Sequence, residues 1–148
     1  MYQYLLPLHN ILRWALLLAG LYAITKAALG VIHKRSFTAN ENRSQVIFLV
    51  LSHTQLLLGL ILYFISPYVS TAMEGGMGAL MKNAESRFIV VEHSLTMIVA
   101  IMLIQVGRSL SKKQKDDMAK HKKALLFFSI AFVLMLSRIP WQRAMWPF

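Results

Sequence analysis

Five histidines and no cysteine set the chemistry this chain can carry. His9, His53 and His93 fall inside long apolar stretches, where an ionisable side chain marks a functional site by default. Two other charged groups share those stretches. Arg13 stands four residues after His9 in "LPLHNILRW", and Glu92 directly precedes His93 in "RFIVVEHSLTM". Neutral imidazole is a common metal ligand, and two imidazoles on separate helices of a small bundle can serve as axial ligands to one haem. The lack of cysteine excludes disulfides, covalent haem attachment through C-x-x-C-H and thiolate-held iron–sulfur clusters. Any haem is therefore expected to be non-covalent.

The elements that must position these groups are readable from hydropathy. The chain is 57% hydrophobic, and its apolar residues come in blocks that approach the roughly 20 residues needed to cross a bilayer. The expected fold is an all-α integral membrane protein: a single transmembrane domain over residues 1–148. Its four helices cover about residues 8–29, 46–65, 88–106 and 122–139, with an outer loop at 66–87. The fourth block is short, and Lys122 and Lys123 would have to snorkel to complete it. The blocks are too long for barrel strands, which need only about 9–11 residues.

Most of the net charge of +10 sits in the connections between helices 1 and 2 and between helices 3 and 4. The positive-inside rule makes that side cytoplasmic and puts both termini outside, in a bacterial inner membrane. Topology thus accounts for the charge, and no nucleic-acid partner is expected. Tyr2, Tyr4, Trp14, Tyr63, Tyr68, Trp141 and Trp146 fall near the outer boundary as an aromatic belt. "MYQYLLPLHN" has neither the basic start nor the cleavage site of a removable signal peptide.

At about 1.5 Å per residue, His9 and His93 come out nearly level in the outer half of a core about 30 Å thick. His53 lies on the order of 10 Å deeper. His9 with His93 is one axial pairing. His53 with His93 is the other, and it requires tilted helices or a tilted macrocycle. Gly20 and Ala100, further along the faces of His9 and His93, would leave room for a porphyrin. Arg13 and Glu92 are also level, and each is expensive in lipid alone, so they are expected to pair. Arg13 and Arg87 are candidate partners for haem propionates, against the plainer readings of a helix-pairing ion pair and an interfacial anchor.

The remaining features carry less. Ala15, Ala19, Ala23 and Ala27 recur every four residues as a small face for close helix contact. Met73, Met77 and Met81 share that spacing in the outer loop. They read as one face of a short interfacial helix broken or started near Gly75–Gly76, or else as a thioether copper site. His33 and the lysine-flanked His121 are expected to be solvated, as is Asp116–Asp117.

"LPLHNILRW", "SHTQLLLGLILYFISP", "RFIVVEHSLTM" and "RIPW" together resemble a group of short bacterial four-helix membrane proteins labelled cytochrome b, over nearly the whole chain. The resemblance implies haem b held non-covalently in the bundle. A looser similarity, carried by His9 in "PLHN", is to the short membrane protoporphyrinogen oxidases. The expectation is a b-type haem protein passing electrons between a quinone or redox partner and another carrier, compatible with a homo-oligomer. A haem-dependent protoporphyrinogen oxidase-like enzyme is the alternative, and a non-redox scaffold or copper-handling protein is the third reading.

Overall fold

A computed structural model describes residues 1–143, and all the regular structure among them is helical. Four long helices carry the fold: α1 (Tyr2–Ile32), α2 (Ala39–Ile65), α6 (Ser94–Lys113) and α7 (Asp117–Arg138). The outer connection expected at 66–87 is helical for most of its length, and the third helix, expected from about residue 88, opens with a π-helical turn. The connection holds α3 (Pro67–Glu74), α4 (Gly76–Lys82) and α5 (Ala84–Arg87), and the turn, Phe88–His93, runs on into α6. The long helices pack as a ring in which α1 touches α2 and α7, and α6 touches α7 and α2.

Among the described residues, three helical segments are long and apolar enough to cross a membrane: Tyr2–Ile32, Ala39–Ile65 and Ala84–Lys113. The helix α7 falls short. Its apolar stretch lies between Lys123 and Arg138, roughly 21 Å of helix against a core of about 30 Å.

Several boundaries differ from the hydropathy reading for local reasons. Helix α1 starts at Tyr2 rather than near Pro7, because the Met1 carbonyl accepts from the amides of Tyr4 and Leu5 and adds a turn. Helix α2 starts at Ala39, well before residue 46, because "TANE" is a capping box. The Thr38 hydroxyl accepts from the Asn40 amide at 3.2 Å, and the Glu41 carboxylate accepts from the Thr38 amide at 3.0 Å. Glu41 also binds Lys26 of α1 at 2.8 Å, so one carboxylate closes a helix end and joins two helices. The break expected at Gly75–Gly76 is present, with Gly76 at φ 77°. It separates Met73 in α3 from Met77 and Met81 in α4, and all three methionines are exposed.

The apolar core fills the end of the ring nearer Lys26. Phe48 and Phe128 meet edge to face at 5.3 Å, surrounded by Ala23, Ala27, Ala100, Ile104, Ala124 and Ala131. Alanine and glycine let the backbones approach here, as the alanine face of α1 implied. Gly20 serves this packing: a Cβ on it would lie 2.7 Å from the Phe48 ring and 2.9 Å from Phe132. The space expected beside Gly20 for a porphyrin is thus filled by phenylalanine.

A polar layer ties the four helices together at this end. Arg108 donates to Asn42 at 2.6 Å, and Gln45 donates to the Ser111 hydroxyl at 3.2 Å. Ser111 in turn donates to the Lys120 carbonyl at 3.0 Å. His121, expected to be solvated, belongs to this layer and is buried. Its Nε2 donates to the Arg35 carbonyl at 3.1 Å, and its ring lies against Gly30. The flanking lysines misled the reading because neighbouring residues point about 100° apart on a helix. His33 is exposed, as expected.

Candidate functional site

At the opposite end the ring does not close. A cavity of about 500 Å³ lies among the ends of α1, α2, α6 and α7 that hold His9 and His93, under Tyr68 and Val69 of α3. Its wall is mainly apolar, from residues such as Leu56, Met97, Ile101 and Met135, with a small set of polar side chains converging on it. That composition is typical of a small-molecule or cofactor site.

His9 and His93 both line this cavity, one from α1 and the other from the π-helical turn. The level placement read from residue counting therefore brings them to one site. His93 Nδ1 is 2.7 Å from the carbonyl oxygen of Arg138, the last residue of α7. A carbonyl only accepts, so the proton is on Nδ1 and the Nε2 lone pair is left free. The final carbonyls of a helix have no partner within it, so Arg138 is available for this bond. His9 lies over Gly59 of α2, where a Cβ would stand 3.3 Å from the imidazole Cε1. The absence of a side chain at Gly59 makes the room this ring occupies.

His53 is not part of the site. It is exposed on α2, outside the cavity, and its Nδ1 meets the Leu49 carbonyl of its own helix at 3.0 Å. The expected pairing of Arg13 with Glu92 is also replaced. Glu92 binds Arg87 at 2.9 Å and Arg138 at 3.7 Å. The π-helical turn is the reason: it brings residue i+5 over residue i, which places Glu92 beside Arg87. Glu92 does turn away from His93 and does not line the cavity.

Arg13 is buried in the cavity wall, 3.5 Å from the Asn10 side-chain oxygen and against the Trp14 ring. Arg87, the other expected carboxylate partner, is drawn off to Glu92 and to the Met81 carbonyl at 2.9 Å. Its place in the wall is taken by Arg143, which binds Glu85 at 3.1 Å and stacks over Tyr68 at 4.1 Å. Trp146, assigned to the aromatic belt, lies outside the described residues.

The donor set limits what the cavity can hold. Among the described residues, no three His, Cys, Asp or Glu side chains gather as a site for a bare metal ion. A closed zinc site takes four protein ligands, and a catalytic one takes three. Two imidazoles fit instead a metal whose other positions are filled by its own macrocycle, since haem iron takes only axial ligands from protein.

Sequence reading missed Gly59, Gln55 and Arg143 at this site. Only Gln55 left a trace, as an amide inside an apolar helix. No family model, curated protein or solved structure matches this chain.

Proposed function

We propose that the chain is a four-helix membrane protein that binds one haem b non-covalently in the His9–His93 cavity. There it passes single electrons between a quinone or redox partner and another carrier. One observation carries the reading: two imidazoles from different helices line one largely apolar cavity, and the carbonyl of Arg138 holds the His93 proton on Nδ1, which leaves Nε2 as the ring's lone-pair nitrogen. Metal-bound histidines characteristically make such a bond through the other ring nitrogen.

The roles of the chain's own groups follow. His9 and His93 would hold the haem iron. Arg13 and Arg143 are the guanidinium partners for two carboxylates, Arg13 inside the wall and Arg143 at the rim beside Tyr68. The apolar wall excludes water, and lowered solvent access is one of the levers that set a redox potential. When bound, the haem supplies a one-electron couple tuned by those ligands, their hydrogen bonds and its burial. In this reading α7 completes the crossing with Lys122 and Lys123 extended to the headgroups. The basic turns then face the cytoplasm, and the cavity lies near the outer surface.

The absorption spectrum of the detergent-purified full chain tests this. A low-spin b-type spectrum, reducible by dithionite, is expected from a haem-replete host, and a colourless preparation refutes the reading. His9→Ala and His93→Ala should each abolish the low-spin signature, and His53→Ala should leave it unchanged. The reverse pattern for His9 and His53 would restore the competing pairing.

A further inference from the structure

Two buried polar atoms at the seam between α1 and α2 lack a hydrogen-bond partner among the described residues: His9 Nδ1 and Gln55 Oε1. They belong to residues that already meet through the His9 backbone. Gln55 Nε2 donates to the backbone carbonyl of His9 at 2.9 Å, and Gly59, under the His9 ring, is one helical turn beyond Gln55. Both residues line the cavity.

The His9 carbonyl fixes the amide's orientation. Turning Gln55 over would set oxygen against oxygen, so Oε1 must point away from that carbonyl. An acceptor left alone in an apolar medium is costly, because no water replaces the missing donor. The unpartnered Nδ1 of His9 is the complementary group. When Nε2 of a histidine binds a metal, the other nitrogen carries a proton and needs an acceptor. His93 has one in the Arg138 carbonyl, whereas His9 has none among the described residues.

We propose that Gln55 is the positioning residue for His9, its side-chain carbonyl accepting the Nδ1 proton when His9 Nε2 ligates. The inference rests on the haem reading above. A turn of the His9 ring toward Oε1 would make the bond and leave the amide's tether to the His9 backbone carbonyl in place. The two ligands then present the same tautomer, one held by a backbone carbonyl and the other by an amide on α2.

The test uses the full chain stripped of haem and titrated with haemin in detergent, followed by potentiometry and low-temperature EPR. Gln55→Leu should weaken haem affinity by about 10- to 100-fold, the range seen when a ligand's hydrogen-bond partner is removed. It should also raise the midpoint potential, because a less basic imidazole stabilises the ferric state less. Gln55→Glu should lower the potential below wild type, because a carboxylate accepts the proton more strongly. If Gln55 is only a clamp between α1 and α2, Gln55→Leu reduces thermal stability but leaves the potential and the g-values at wild-type values. That result overturns the inference. Should the leucine variant not fold, an unchanged potential in Gln55→Glu overturns it. Haem uptake by wild type with silent Gln55 variants refutes this inference alone, whereas no uptake by wild type removes both readings.

Discussion

The partnership of Glu92 tests the π-helical turn, because the turn is what assigns it. In a regular α-helix residues 87 and 92 would point roughly 140° apart, and Arg87 would not meet Glu92. In the π-helical turn they share a face, and the Arg87 Nε to Glu92 Oε1 distance is 2.9 Å. The magnitude must be discounted for solvent. The side chains of Arg87 and Glu92 are 36% and 30% exposed, and Arg138 is 42% exposed at a longer 3.7 Å. Ion pairs of such exposure contribute about 0.2–1 kcal/mol. We place Arg87–Glu92 in the upper half of that range, about 0.5–1 kcal/mol, and Arg138–Glu92 at a few tenths.

Double-mutant cycles give the numbers directly. Glutamine replaces Arg87, Arg138, Arg13 and Glu92 singly and in the three pairs with Glu92, and reversible unfolding of the full chain is followed in mixed micelles. The order of coupling should be Arg87, then Arg138, with Arg13 inside the roughly 0.3–0.5 kcal/mol scatter of independent sites. Coupling of Arg87 should shrink as salt is raised, because its partner is part-exposed. Coupling of Glu92 to Arg13 above that to Arg87 would refute the turn, and with it the rotation that sends His93 to the cavity and Glu92 away from it.

Two further outcomes are expected at the other end of the ring. Gly30→Ala places a Cβ 2.3 Å from His121 Nδ1, an overpacking that costs about 1–3 kcal/mol against a helix-propensity gain of up to about 1 kcal/mol. A net loss in the unfolding midpoint should follow, and His121→Ala on the same background should recover most of it. A loss that persists in the double variant contradicts the packing. Thr38→Ala removes the cap of α2 and should cost about 1 kcal/mol. Hydrogen exchange should rise at the first turn of α2 and not at its middle. Unchanged exchange there would show that the Lys26–Glu41 bridge alone holds the helix end.

The hydropathy blocks made the helices and their order legible, because burying backbone in lipid leaves few other arrangements. Position along the helices was legible too: a fixed rise per residue put His9 and His93 toward the same end of the bundle, and both line one cavity there. Rotation about the helix axis was not legible, and most departures from expectation are errors of rotation. Gln55 and His53 are two residues apart, about 200° around α2, so one can face α1 only if the other does not. Hydropathy is blind to that choice because both residues are polar islands in the same apolar run. A single π-helical turn then shifts the rotation again before α6 and carries Glu92 from Arg13 to Arg87.

The groups that complete the site leave still fainter traces. The partner of His93 is a backbone carbonyl, which every residue has, and the neighbour of His9 is a glycine whose contribution is the side chain it lacks. The capping box is the contrary case. "TANE" announces its geometry through side chains three residues apart, and a reading guided by hydropathy alone passes over it. Residue types therefore single out the imidazoles. What makes them a pair is azimuth: α1 turns His9 toward Gly59, and the π-helical turn sets His93 against the end of α7.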